Sequence, residues 1–138
     1  EKKYYVTIGP QTYVIPFFTN YGEIRVQFVD ISTSERLPNP LRDIHYYTTF
    51  GAIIFFDLTS RITYKDTPRW YREISRISEG ISIIICGNKL DLKDQRKVKP
   101  EQITYPQKKN IPYFETSVKK SIQIEQPILL LLRQFTGF

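Results

Sequence analysis

Two short stretches carry residue types that could do chemistry. The first is Gly87-Asn88-Lys89-Leu90-Asp91. A carboxylate such as Asp91 accepts two hydrogen bonds side by side. Guanine offers the matching donor pair, N1–H and the exocyclic N2–H₂, on one edge. Adenine lacks that pair and would strand a desolvated carboxylate, so sites of this kind discriminate steeply. Asn88 can reach guanine N7 and tie its loop to its neighbours, while the Lys89 stem can lie over the base plane. The second stretch is Glu115-Thr116-Ser117-Val118-Lys119. Here the Val118 N–H would be placed to meet guanine O6, with Ser117 bracing the loop. As a bare pattern N-K-x-D recurs by chance, and a polar turn at a strand end reads the same way. Its weight comes from what precedes it and from the second stretch behind it.

What precedes each stretch reads as a strand. Ala52-Ile-Ile-Phe-Phe56 and Ile81-Ser-Ile-Ile-Ile-Cys86 are near-continuous apolar runs, the pattern of parallel strands buried on both faces. A short strand is expected at 113–115. Between the two apolar runs lies a helix signal: Asp66 or Thr67 as cap, Pro68 in the first turn, and Trp70, Ile74 and Ile77 at helical spacing. A last helix is expected to start near Pro127, with Ile128, Leu131, Leu132 and Phe135 on one stripe. Leu129 and Leu130 fall off that stripe, which implies wide burial or a missing cover. Upstream, residues 12–19 and 23–28 read as a hairpin around Asn20-Tyr21-Gly22. Ile24, Val26 and Phe28 alternate with Glu23, Arg25 and Gln27, and Pro16 places the first arm at a sheet edge. Alternation of strand, helix and buried strand predicts an α/β fold with a mostly parallel sheet flanked by helices. In such sheets ligands sit beyond the carboxyl ends of the strands, where both stretches fall.

Composition narrows the classes. The 138 residues are 41% hydrophobic and 14% aromatic, enough for one packed domain and too apolar for a disordered chain. No apolar run approaches the ~20 residues of a membrane span, and no charged-then-apolar leader is visible, so no membrane partner is expected. One cysteine, Cys86, and one histidine, His45, cannot build a disulfide framework or a Cys/His zinc site. Cys86 reads as core, His45 as surface and Trp70 as helix packing. A net charge of +6 favours acidic partners. Nucleic acid is not expected, since no aromatic platform or helix–turn–helix signal accompanies the charge. The chain has no methionine and opens on Glu1, so we expect it to be an N-terminally incomplete single domain, residues 1–138.

The residues then reveal a resemblance. The chain resembles the small GTPases of the Ras superfamily, and within them most resembles the Ran branch. The matching residues include Glu1-Lys-Lys-Tyr4, Leu41-Arg-Asp43, Tyr46-Tyr47, Ala52-Ile-Ile54, Phe56-Asp57 and Thr59-Ser-Arg61. Thr63-Tyr-Lys65, Cys86-Gly-Asn-Lys89, Lys93-Asp94, Arg96-Lys-Val-Lys99 and Lys108-Lys-Asn110 continue it along the whole chain. The resemblance implies a GTP-binding switch, with GTP or GDP and Mg²⁺ as ligands. It also implies transport receptors and the family's regulators as partners, and residence in nucleus and cytoplasm. By position, Thr7 matches the switch I threonine on Mg²⁺ and the γ-phosphate. Asp30 matches the aspartate that holds Mg²⁺ through water. Asn88, Lys89 and Asp91 match the base-reading motif, and Ser117, Val118 and Lys119 match the loop that usually reads Ser-Ala-Lys. The basic Lys108-Lys109 stretch resembles a patch used toward acidic protein surfaces, and a solvated basic loop would look the same.

Where the family reads Asp-Thr-Ala-Gly-Gln-Glu, this chain reads Asp30-Ile-Ser-Thr-Ser-Glu35. Thr33 replaces a glycine whose N–H approaches the γ-phosphate, and a β-branched residue restricts the backbone there. Ser34 stands at the catalytic glutamine position and is too short to orient the attacking water, so hydrolysis should be poor. No glycine in 1–138 is followed by lysine, so no phosphate loop of the G-x-x-x-x-G-K-[ST] type lies within it. The family's first strand, phosphate loop and first helix correspond to residues before Glu1. That strand sits mid-sheet, beside 23–28 and 52–56, and without it two apolar edges would be open. We expect the strand to come from preceding residues or from a partner. Two functional classes follow: a cycling Ran-like switch, and a non-cycling pseudo-GTPase that keeps the sheet as a protein-binding scaffold.

Overall fold

The computed structural model describes residues 11–20, 22–31 and 49–136, which fall into two compact units, 1–48 and 49–138. In the first unit, β1 (Gln11–Thr19) and β2 (Gly22–Asp30) pair antiparallel in unbroken register from Gln11 opposite Asp30 to Thr19 opposite Gly22. Gly22, which opens β2 opposite Thr19, has φ +107°, a conformation L side chains rarely adopt, and the Thr19 hydroxyl donates to its carbonyl at 2.8 Å. Ile24, Val26 and Phe28 are half-buried while Glu23, Arg25 and Gln27 are exposed, so the strict alternation sets the face as the sequence predicts. Pro16 lies in β1, whose one partner among the described residues is β2.

The second unit holds a three-stranded parallel sheet in the order β3-β4-β5, formed by Gly51–Asp57, Ser82–Asn88 and Tyr113–Glu115. Both apolar runs are therefore strands, and both pairings are parallel. β4 is interior, and Ile83, Ile84, Ile85 and Cys86 are buried. β3 corrects the expectation of burial on both faces. Ile54 and Phe56 are buried, but Phe55, which points to the opposite face, is 53% exposed, since the described residues leave that face open there.

Two helices follow β3: α1 (Arg61–Lys65) and α2 (Thr67–Ile77). Pro68 lies in the first turn of α2, and Ile74 and Ile77 are buried, as predicted. The predicted cap is corrected. Asp66 continues the helical backbone from α1 at φ −81°, ψ −13°, with its N–H bonded to the Ile62 carbonyl, and its side chain caps nothing. A capping side chain needs a non-helical backbone to fold over the first turn. The Thr67 hydroxyl instead donates to the Tyr64 carbonyl at 2.8 Å. Trp70 is half-buried with the Arg69 guanidinium 4.7 Å above its ring, a packing role.

After β4 come two single 3₁₀ turns (Lys93–Gln95 and Pro100–Gln102), the short α3 (Tyr105–Lys108), and α4 (Glu125–Thr136) after β5. Helix α4 begins two residues before the expected Pro127, which sits buried in its first turn, where its missing N–H costs nothing. All of Ile128, Leu129, Leu130, Leu131 and Leu132 are half-buried, so burial is broad and not confined to one stripe. Phe135 leaves that stripe: it is exposed and packs against Phe50 at 4.4 Å between ring centroids. The Leu131 side chain approaches so closely that a Cβ on Gly51 would meet it at 3.0 Å, which fixes α4 against the start of β3.

Candidate functional site

The parallel register delivers three polar residues to the carboxyl end of the sheet. Asp57 is opposite Asn88, and Gly87 is opposite Glu115. Glycine at 87 keeps this spot open, since a Cβ there would lie 2.6 Å from the Tyr113 Oη, 2.8 Å from Leu58 Cδ2 and 3.0 Å from Phe56 Cζ, so those side chains would have to shift.

Beyond Asn88 the chain turns sharply. Lys89 adopts φ +69°, in the left-handed region that L side chains disfavour, and the Leu92 N–H donates to the Lys89 carbonyl at 3.0 Å. That turn brings Asp91 back toward the second loop. The two loops are stitched together by backbone bonds, Thr116 N–H to the Gly87 carbonyl at 2.8 Å and Leu90 N–H to the Thr116 carbonyl at 3.0 Å. The segment beyond Glu115 is pinched into a bridge by two bonds between Ser117 and Ile122, at 3.1 and 2.9 Å.

The side chains complete the stitching. Asn88 Oδ1 accepts the Val118 N–H at 3.1 Å and the Thr116 hydroxyl at 3.3 Å. The Ser117 hydroxyl, fully buried, donates to Asp91 Oδ1 at 2.7 Å and accepts the Lys120 N–H at 3.1 Å. Asn88 thus ties its loop to its neighbour as predicted, and Ser117 braces as predicted. Among the described residues, Asp91 Oδ2 accepts nothing and Asn88 Nδ2 donates to nothing. Among the described residues these two side chains therefore offer one uncommitted acceptor, on Asp91, and one uncommitted donor, on Asn88.

One expectation is corrected. The Val118 N–H does not point free toward a ligand atom; the Asn88 side-chain oxygen is within reach and takes it. The Lys89 side chain carries its head to β3, with Nζ 2.7 Å from Asp57 Oδ2. Lys119 is exposed at the rim of the second loop. Lys108 and Lys109, at the end of α3, are exposed and form no ion pair among the described residues. Asp30 closes β2 in the other unit as an exposed residue. Thr7, Thr33, Ser34 and His45 lie outside the described residues.

Sequence reasoning missed a second layer of residues. Asp57 Oδ1 accepts the Thr59 N–H at 2.8 Å and hydroxyl at 2.6 Å, while Oδ2 holds Lys89. Burial pushes the Asp57 carboxyl up, but the Lys89 ammonium and the Thr59 bonds outweigh it and hold it below its ordinary value. Arg96 reaches Glu115 through both guanidinium nitrogens, at 3.0 and 2.6 Å, and its Nε donates to the Val98 carbonyl at 2.7 Å. The Tyr113 hydroxyl donates to Glu115 Oε2 at 2.7 Å. Burial opposes ionisation of Glu115, yet the Arg96 fork and the Tyr113 hydroxyl keep it low. Burial, reinforced by Glu115, raises Tyr113. Cys86 is core as predicted, its thiol pushed by burial up to about 12 and so inert. One signal could have found Asp57: it follows a buried apolar run, as Asn88 does.

The sequence profile of the Ras family matches residues 1–136 of the chain.

Proposed function

This chain belongs to the Ras family, and on that premise we propose that it is a Ran-like switch acting in nucleocytoplasmic transport, binding transport receptors in a nucleotide-dependent way while hydrolysing GTP poorly. At the coarser level the family makes it a small GTP-binding protein of the switch type, handling GTP or GDP with Mg²⁺.

The observation that supports the base-reading part of this proposal is Asp91. A buried hydroxyl holds one of its oxygens at 2.7 Å and leaves the other uncommitted. A carboxylate fixed in this way is oriented before the ligand arrives, so little ordering is required on binding. Presented with N1–H and N2–H₂ it makes two charge-assisted bonds. Presented with adenine it makes none and stays desolvated. Asn88 Nδ2 would donate to N7, and the stems of Lys89 and Lys119 would flank the base. For the phosphates and Mg²⁺, Thr7 and Asp30 are the residues that match the family, and the cation would supply charge neutralisation there.

The transport role rests on the match to the Ran branch along the chain. Slow hydrolysis rests on Thr33 and Ser34. Those same two positions favour the alternative reading, a scaffold that has stopped cycling. One titration separates the two. Fluorescent GTP and GDP analogues are added to the intact protein with Mg²⁺, phosphate release is followed, and transport receptors are captured on each nucleotide form. We expect binding that excess GDP displaces and ATP does not, slow phosphate release, and receptor capture by the GTP form alone. Absence of guanine-nucleotide binding would leave the scaffold reading, and competition by ATP would overturn the base assignment. Thr33→Gly combined with Ser34→Gln should speed phosphate release.

A further inference from the structure

One charged contact of the first base-reading loop reaches outside both loops, from Lys89 to Asp57 at the end of β3. Lys89 occupies a left-handed backbone conformation that costs a non-glycine residue energy, and such outliers persist only where surrounding contacts over-determine them. Two contacts do so here: the turn bond from the Leu92 N–H to the Lys89 carbonyl at 3.0 Å, and the ion pair from Lys89 Nζ to Asp57 Oδ2 at 2.7 Å. The ammonium side chain is 49% exposed. An ion pair that open to water contributes little to stability, so its consequence is geometric. Asp57 is itself immobilised, because Thr59 bonds its other oxygen twice. It therefore acts as a fixed anchor on β3 that draws the four-carbon Lys89 stem back across the ends of β3 and β4.

We propose that Asp57 is a positioning residue for the base site: by anchoring Lys89 it holds the left-handed turn that aims Asn88 and Asp91, and it keeps the Lys89 stem stretched as one wall for the base. The proposal rests on the guanine reading of this site and adds to it a residue of β3 that touches no base. A lysine stem that must be ordered on binding costs about 0.5–1.5 kcal/mol, up to about tenfold in affinity. Asp57 removes that cost beforehand.

Asp57→Asn is the informative variant, since an amide keeps the oxygen that caps Thr59 and loses the charge that holds Lys89. We expect it to weaken binding of a fluorescent GDP analogue by up to about tenfold. Lys89→Ala should weaken it as much or more, and adding Asp57→Asn to Lys89→Ala should change nothing further, because the anchor then has nothing to hold. Thr59→Ala, which removes the hydroxyl bond and keeps the backbone N–H on Asp57 Oδ1, should weaken binding less than Asp57→Asn does, because the charge that holds Lys89 is still there. Full affinity in Asp57→Asn would overturn the proposal, as would losses that simply multiply in the double variant. Amide hydrogen exchange on the nucleotide-free protein gives a second readout. Asp57→Asn should speed exchange at the Leu90 and Val118 N–H groups, whose acceptors lie across the two loops, and unchanged rates there would overturn the anchoring. If the wild-type protein binds no guanine nucleotide, the functional reading fails, and the exchange rates still decide the role of Asp57.

Discussion

The ends of β3 and β4 each offer an aspartate, and the two are used in opposite ways. Asp57 ends β3 with both oxygens committed inside the protein, one to Thr59 and one to Lys89. Asp91 follows β4 by three residues, with one oxygen committed to Ser117 and the other to nothing among the described residues. Both sit beyond the carboxyl edge of a parallel sheet, so position alone does not tell an anchor from a reader. The difference is the number of partners. A carboxylate has roughly four acceptor sites, and Asp57, with three donors from its own chain on its two oxygens, has little capacity left for a ligand.

The comparison can be broken most sharply at Asp91. Asp91→Asn removes the charge from both base hydrogen bonds, each worth ~1.5–3 kcal/mol. GDP-analogue affinity should therefore fall roughly 10²- to 10⁴-fold, well beyond the loss expected at Asp57. Equal losses at the two positions would erase the distinction. Next in size is the strand that carries Asn88 and leads into Asp91. Gly87→Ala places a methyl against the Tyr113 hydroxyl and Leu58, and overpacking of this kind costs about 1–3 kcal/mol, readable as a lower urea midpoint. A third carboxylate, Glu115, extends the anchor class. Glu115→Gln should cost roughly 1–2 kcal/mol in urea, a value reduced from that of a fully buried pair because both side chains are partly exposed.

The smallest effect is in pH. Asp57 and Glu115 are both held below their ordinary values of 3.8 and 4.5. Just below those values the unfolded chain binds protons that the folded chain does not, so stability falls as pH falls. Their contribution is complete above about pH 5.5 and is lost as the pH drops through the two lowered values. An acid titration of thermal stability should show that decline, and Glu115→Gln should flatten it.

Much of this was legible in the sequence, for physical reasons. The run 81–86 reads as an interior strand because a short β-branched apolar run suits a strand buried on both faces, and the alternation in 23–28 set which side chains face inward. Ser117 was legible as a brace for its loop, while its bond to Asp91 is visible only in the structure. What escaped depends on long-range partners. The Val118 N–H looked available from its loop position, but whether the Asn88 oxygen reaches it is decided by how two loops 30 residues apart pack. The Arg96–Glu115 fork spans 19 residues and has no periodicity to announce it. Asp66 misled because a short helix ends where the next begins, and composition does not reveal that the intervening residue keeps a helical backbone.

Trp70 lends these experiments a built-in reporter. It is the one tryptophan in the chain and belongs to α2 of the sheet-bearing unit, whereas the hairpin unit contains none. Emission excited at the red edge of the indole band therefore reports from α2 of the sheet-bearing unit. Tyrosine light or far-ultraviolet dichroism registers both. A midpoint that differs between the two signals would reveal that one half loosens before the other.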